Sequence, residues 1–511
     1  MTAECLNSMH SIVYDSIAGQ PAISNGIKME KVKNKQRWVV PVLIALIGGF
    51  MSILDSSIVN VAISTMMHVF NTTEDQIGWV VTVYMLALGV VIPFTGWAGD
   101  KFGYKRLYIF AMIMFTFGSL LCTLSWSVNT LIIARVIQAL GGGLLMPSMM
   151  TMVKKIVPEG SFGTAMGIVG VALLIAPALG PTIGGYLVEY VGWKWIFTIN
   201  IPIGIIGIVL AFFFLPKFEK VKVDKLDVGG AITVVIMLFS LLMALSKGGS
   251  WGWTSKTTLL YLLVSLISFC IFLYFEFNLK YPLLNLKIFR HRNFTFANIT
   301  TIITTVGLFS GIFFVPLFLQ NIKGLGALET GLLMLPGALA SGILMPVVGK
   351  LYDRTGPKPL AIFGIISLAF TTFLLHNIDV TTSNTTIVYW MVLRGVSMSF
   401  AAVSAQAASL DSATKLEVGD ASAISNIISR VSGSFGIAIL TTILTSHTTS
   451  YAKDIAAKLI SAGTDVTKQT LQIQASAFVK GLDDIFMIAS ILTLFGLVPA
   501  LFLKKEVKVS E

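Results

Sequence analysis

The chain has 511 residues, 55% of them apolar and only 12% charged, with a mean hydropathy of +0.84. Soluble domains carry about 25% charged residues, so a secreted protein, a disordered scaffold and a soluble enzyme with a large core are all excluded. A net charge of +11 would raise nucleic acid in a soluble chain. In one this apolar it reads instead as basic residues retained in cytoplasmic loops, because Lys and Arg resist translocation, and no nucleic-acid partner is expected.

Residues 1–38 contain no short apolar segment followed by a small-residue cleavage site, so they read as a cytoplasmic segment rather than a signal peptide. At ~20 residues per crossing of the lipid bilayer, the apolar runs that follow divide into fourteen spans. They fall at about 39–66, 77–98, 107–126, 131–153, 163–188, 194–216, 227–246, 257–278, 293–320, 329–349, 358–376, 385–409, 421–446 and 482–503. With the N-terminus inside, 25 Lys and Arg fall on the cytoplasmic side and 8 outside, while Arg135, Arg394 and Arg430 lie within spans. That asymmetry puts both termini in the cytoplasm. The longest loop, about 447–481, is external and mildly amphipathic through Ile455, Leu459 and Ile460; it reads as a helical cap or as a substrate lid.

Along the spans, Asp55 is the acid most clearly deep in apolar sequence. It lies sixteen residues beyond Val39, ~24 Å in at 1.5 Å per residue, past the middle of a ~30 Å core. An ionised carboxylate there costs several kcal/mol unless paired or hydrated. The group is therefore suited to bind and release protons, or else is a structural carboxylate hydrogen-bonded to Ser56, Ser57 or backbone. Arg135 stands ~6 Å into the fourth span by the same rise, with Gln138 and Gly142 on its helix face. It either senses the protonation of Asp55 through an aqueous cavity or snorkels to the outer surface. Gly180, Pro181, Gly184 and Gly185 interrupt the fifth span and read as a hinge and seal, or as simple packing. Tyr84 in the second span and Gln320 in the ninth are candidate substrate contacts. Asp411, Glu417, Asp420 and Glu276 read as solvated acids at helix ends.

An internal repeat organises these spans. Gly96-Trp97-Ala98-Gly99-Asp100-Lys101-Phe102-Gly103-Tyr104-Lys105-Arg106 follows the second span, and Gly349-Lys350-Leu351-Tyr352-Asp353-Arg354-Thr355-Gly356-Pro357-Lys358 follows the tenth, 253 residues later. Arg135 and Arg394 echo each other at an offset of 259. The pattern predicts an all-α polytopic membrane protein of two six-helix bundles, residues 39–216 and 293–511, joined by a linker at 217–292 that carries two additional helices. Parallel halves of this kind point to a secondary transporter with alternating access and a central, apolar and aromatic substrate site. In the loops, glycine permits close approach and tight turning. Asp100 can face a helix N-terminus or a basic side chain, while Lys105 and Arg106 hold the loop at the anionic cytoplasmic surface. The alternative is an ordinary basic turn.

The glycine–aspartate loop resembles the signature of the major facilitator superfamily, with Tyr104 where a basic residue is commoner. Leu54-Asp55-Ser56-Ser57-Ile58-Val59-Asn60-Val61-Ala62-Ile63 is similar to the first-span motif of its fourteen-span drug:proton antiporter family. Arg135-Val136-Ile137-Gln138-Ala139-Leu140-Gly141 resembles the fourth-span motif, with Ala139 in place of glycine. Ala176-Pro177-Ala178-Leu179-Gly180-Pro181-Thr182-Ile183-Gly184-Gly185 resembles the fifth-span antiporter motif, and Gly192-Trp193-Lys194-Trp195-Ile196-Phe197-Thr198-Ile199-Asn200-Ile201-Pro202-Ile203-Gly204 a stretch typical of the fourteen-span branch. The resemblance implies multidrug efflux, a proton-coupling acid at Asp55 and a gating role for Gly96, Asp100, Gly103, Lys105 and Arg106. It also implies small amphipathic, often cationic, substrates exchanged for protons, and allows Asp411, Glu417 and Asp420 to help move them.

Export of one endogenous amphiphile such as a peptide, lipid or siderophore is the rival within transport, and a non-transporting scaffold the rival outside it. Cys5, Cys122 and Cys270 form neither a disulfide framework nor a zinc spacing. The phosphate-loop pattern GxxxxGK[ST] and a nucleophile–base pair are also missing, so no enzyme activity, metal or cofactor is expected. Nothing demands a partner chain, so a monomer is expected. Lysine outnumbers arginine 28 to 8, which points to a bacterial plasma membrane.

Overall fold

Within hydrocarbon every backbone N–H and C=O must find its partner inside the chain, so apolar runs of this length close on themselves as helices. A computed structural model describes residues 38–158, 160–221, 226–279, 282–461 and 469–505. Cys5, all but the last residue of the N-terminal segment, and Lys222, Lys225, Lys280, Lys468 and Lys508 lie outside the described residues.

Among the described residues, fourteen helices are long and apolar enough to span a membrane. They are α1 (Val39–Val69), α2 (Glu74–Val91), α3 (Tyr104–Thr123), α4 (Val128–Ile156), α5 (Phe162–Val191), α6 (Trp195–Phe214) and α7 (Val228–Trp251), then α8 (Lys256–Asn278), α9 (Arg292–Asn321), α10 (Leu328–Thr355), α11 (Pro357–Asn377), α12 (Asn384–Asp411), α13 (Val418–Ser461) and α14 (Gln472–Leu501). No strand occurs among the described residues. Side-chain oxygens at the expected positions begin several helices: Thr73 accepts from Gln76 N, Ser255 from Thr258 N and Ser383 from Thr386 N, while Ser127 and Thr130 form a reciprocal capping box. Each satisfies backbone donors that the first helical turn leaves free.

Two expectations need correction. The segment 447–481, expected as an external loop forming a helical cap or a lid, extends two spanning helices: α13 runs 44 residues to Ser461 and the next helix begins at Thr470. Residues 446–461 contain neither Gly nor Pro, so nothing stops the helix where the apolar run ends. His447 Nδ1 at 2.6 Å and Tyr451 Oη at 2.8 Å from Asp484 then tie the extensions of α13 and α14 together. The fifth span is also not interrupted at Gly180-Pro181. It stays α-helical from Phe162 to Tyr186, with Pro177 and Pro181 inside, and only its last turn, Leu187–Val191, widens to a π-helix.

The helices group into two six-helix bundles, α1–α6 and α9–α14, with α7 and α8 in addition. Helix α7 packs on α2 and α13, and α8 on α7. Across the bundles α5 lies along α10 and α12, and α4 along α13. Small residues allow the α5–α10 approach: a Cβ at Gly163 would meet the Gly349 carbonyl oxygen at 2.5 Å, and one at Gly167 would run into the Met345 carbonyl. Backbone cannot yield as a flexible side-chain end does, so this contact tolerates no added bulk.

Gly167→Leu should therefore destabilise the protein by about 1–3 kcal/mol or more, read as a lower Tm in detergent. Gly78→Leu, where an added Cβ meets nothing within 4 Å, should leave Tm nearly unchanged.

Candidate functional site

The intramembrane charges of the first six spans converge on one point. Asp55 of α1 and Arg135 of α4 are 0% and 1% exposed and form an ion pair with Nη1 to Oδ2 at 2.5 Å. Gln138, one turn after Arg135, donates from Nε2 to Asp55 Oδ1 at 2.8 Å and accepts from Arg135 at 2.7 Å. Asn200 of α6 donates to Asp55 Oδ1 at 2.9 Å. The Arg135 guanidinium also donates to Val80 O at 3.4 Å and lies over the Tyr84 ring, 3.8 Å from its centroid. Ser119 Oγ accepts a further hydrogen bond from Gln138 Nε2 at 2.8 Å. Donors thus surround the carboxylate, and its one cation is held by acceptors and a π-face, which is how a buried pair offsets its desolvation.

Several expected placements change. Arg135 does not snorkel, and it meets Asp55 directly rather than through an aqueous cavity. Tyr84 lies off the cavity wall: it is fully buried, donating from its hydroxyl to Ser52 O at 3.3 Å beneath the guanidinium. Asn200 escaped assignment although it stands in a quoted motif; an amide inside an apolar span was the signal available.

At one end of the bundles the two glycine–aspartate loops join the halves. Gly103 has φ +91, a left-handed turn that favours glycine and swings the short helix Phe94–Phe102 into α3. Gly96 of that short helix lies against the start of α13, where a Cβ would meet Asp420 Oδ1 at 2.7 Å and Gly419 C at 3.4 Å. Asp100 faces Lys155 of α4 at 3.8 Å; burial raises its carboxyl from the ordinary value, and the lysine opposes that rise. Lys105 donates to Leu215 O at 2.6 Å, and Arg106 is exposed. In the second copy Asp353 caps the start of α5, accepting from Gly163 N at 2.7 Å, Thr164 N at 3.0 Å and Thr164 Oγ1 at 2.8 Å. Lys154 pairs with Asp411 across the halves, and Ser422 Oγ donates to Pro147 O at 2.9 Å.

All four of the acids read as solvated are therefore engaged. Asp411 holds Lys154, Asp420 accepts from Asn285 N at 3.4 Å, and Glu276, 3% exposed, accepts from Leu284 N at 3.1 Å. Glu417 stands 3.5 Å from His291 Nε2. Backbone donors and basic side chains brought in by remote segments explain the difference.

Away from these loops, between the halves, lies a cavity of about 2000 Å³. Its wall runs from Leu174 and Ser341 to Met67, Glu74 and Lys453 near the opposite helix ends, and includes Gln320. Ser56 and Ser57 line it beside the buried Asp55. The fifth-span motif is two-sided. Gly180 and Gly184 admit Ser57 and Ile58 of α1, whereas Pro181 and Gly185 face Gly331 and Leu328 of α10. Only part of the motif thus meets the other half. The deep wall carries Arg394 and Arg430 and no acid, so a cationic cargo finds no counter-charge there.

The Major Facilitator Superfamily sequence model matches residues 45–437. The chain is 35% identical over 432 residues to an uncharacterized MFS-type transporter, YhcA, of Bacillus subtilis, covering 84% of this chain and 81% of that one. It is 32% identical over 467 residues to the lincomycin resistance protein LmrB of Listeria monocytogenes, covering 91% and 97%. With a multidrug resistance protein B homolog of Mycobacterium tuberculosis it shares 28% over 482 residues, covering 91% and 89%. Among solved structures the fold resembles the human organic anion transporter MFSD10, with TM-score 0.59 and 11% identity over 91% of this chain and 99% of that one. It also resembles the proton:xylose symporter XylE, with TM-score 0.55 and 14% identity over 92% and 97%.

Replacing Arg135 by Gln leaves a buried carboxylate without its cation, at a cost of about 3–5 kcal/mol. Asp55→Asn on the same background should recover much of that loss. Tm values of the two single variants and the double variant measure the coupling, and strictly additive losses would show the pair is not one unit.

Proposed function

This chain belongs to the Major Facilitator Superfamily, and we propose that within it the protein is a proton-coupled antiporter that exports amphipathic small molecules by alternating access. The observation that carries the reading is the fully buried Asp55–Arg135 pair, whose neighbours Ser56 and Ser57 form the cavity wall. An intramembrane acid and base held apart from solvent are costly unless they do something. Here a proton delivered to Asp55 removes the anion and frees Arg135, Gln138 and Asn200 to rearrange. Proton binding and helix movement on α1, α4 and α6 are thereby linked.

In this reading residues 39–216 and 293–511 rock against each other, with the helices of 217–292 alongside. The glycine–aspartate loops lie at the cytoplasmic face of the plasma membrane, with both termini on that side, and the cavity opens outward. Gly96, Asp100, Gly103 and Asp353 hold the cytoplasmic end shut, and release of those contacts opens it. Small-residue packing of Gly180 and Gly184 on α1, and of Pro181 and Gly185 on α10, keeps the path sealed while α5 moves. Gln320 contacts cargo, the protein acts as a monomer, and it performs no catalysis and needs no metal or cofactor. The resistance names of the relatives support a drug-like range of cargo. Export of one endogenous amphiphile uses the same site and differs only in breadth, which a panel of dyes and antibiotics separates.

Purified protein in liposomes under an imposed ΔpH tests the proposal. Wild type should drive a dye against its gradient and stop when the ΔpH is collapsed. Asp55→Asn should transport no faster than protein-free vesicles while remaining folded by its thermal transition. Undiminished ΔpH-driven transport by that variant would remove the coupling role.

A further inference from the structure

The internal repeat places Arg394 on α12 where Arg135 lies on α4, but the two halves treat their arginines differently. Helix α9, the counterpart of α1, surrounds Arg394 with Leu308, Ser310 and Gly311 and supplies no carboxylate. The guanidinium donates to Thr372 Oγ1 at 2.7 Å, to the Gly307 carbonyl and to Leu308 O at 3.3 Å. It is 2% exposed, and its Nε has no hydrogen-bond partner. A second arginine, Arg430 of α13, also has a buried Nε without a partner. Neither forms an ion pair among the described residues, and both line the central cavity. Glu74, at the start of α2, is the single acid in that wall, and Lys453 adds a third cation.

Between Arg430 and Lys453 the cavity face of α13 presents Ser434, Thr441, Thr445 and Thr449 at helical intervals. The Thr441 hydroxyl is buried and unpartnered. Thr445 and Thr449 donate their hydroxyl protons to Thr441 O and Thr445 O, which leaves the Thr441 and Ser434 hydroxyls to donate to an anion. Other parts of the wall, with Leu174, Phe309, Met334 and Met398, are apolar.

We propose that this cavity selects amphiphiles bearing an acidic head group (a carboxylate, sulfonate or phosphate monoester), with Arg394 and Arg430 as the head-group binders and the apolar wall taking the body. An uncompensated guanidinium in a low-dielectric site gains most from a ligand that brings the missing charge, and a cation in the same place is repelled. The inference rests on the export reading only in taking this cavity as the cargo site.

Protein in phosphatidylcholine nanodiscs is titrated with three fluorescent probes: 8-anilinonaphthalene-1-sulfonate, N-phenyl-1-naphthylamine (the same rings without the sulfonate) and ethidium. The sulfonate should bind roughly tenfold or more tighter than the neutral probe, and ethidium weakest. Arg430→Gln should weaken the sulfonate by about tenfold and leave the neutral probe unchanged, while Arg430→Lys retains most of the preference. Arg394→Gln should act alike, and if it fails to fold the Arg430 pair carries the test. Nanodiscs containing phosphatidylglycerol separate the sources of the acid: competition assigns the head group to a lipid, and its absence assigns it to a soluble amphiphile. Equal affinity for the sulfonate and neutral probes, tightest binding of ethidium, or equal loss for both probes in Arg430→Gln would overturn the proposal. Such a result leaves ΔpH-driven export standing, whereas a charge preference without ΔpH-driven transport removes the antiport reading and keeps this one.

Discussion

A charge held inside the apolar slab must be neutralised, hydrated or given work, and that constraint arranges this molecule. Asp55 and Arg135 obey it by meeting each other, with Gln138 and Asn200 filling the remaining acceptor positions of the carboxylate. Four helices, α1, α2, α4 and α6, are tied to that point, because Tyr84 and Val80 of α2 close over the guanidinium. The first six spans are therefore organised around a polar centre that would be unaffordable in any looser packing.

The last six spans solve the same problem differently. Arg394 stands where the repeat puts it, yet backbone carbonyls and a threonine hydroxyl hold it in place of an acid. Duplicated halves thus share a scaffold while dividing roles: one carries a closed, self-neutralised pair, the other turns its positive charge toward the cavity. In the proposed cycle the first half answers to protons and the second to cargo. Coupling between them passes through the α5–α10 contact, whose glycines bring backbone against backbone, and through the loop contacts of Gly96 and Asp353 at one end.

Of the fold, the spans and their pairing into halves were legible, since a ~20-residue apolar run has one stable form in lipid. Helices α2 and α4 begin three residues before the expected spans, because the polar capping residues Thr73 and Ser127 start them outside the apolar run. The end of α13 at Ser461 was not legible, because polar but helix-compatible residues carry it beyond the apolar run. Of the site, Asp55, Arg135 and Gln138 were readable as costly intramembrane groups. The place of Tyr84 beneath Arg135 was not legible, because an aromatic hydroxyl in a span signals polarity without saying whether it faces a cavity or a guanidinium.

By itself the sequence determined that this is a fourteen-helix membrane protein of two related halves, and which polar residues it keeps inside. Those conclusions follow from local physics: hydropathy, span length and charge rarity need no knowledge of neighbours. Only the tertiary structure decided which charges meet. Pairing of Asp55 with Arg135 spans 80 positions and that with Asn200 spans 145, and whether an arginine ends against a carboxylate or at a cavity wall depends on helix rotation. Rotation is set by packing among many helices, which no single segment encodes.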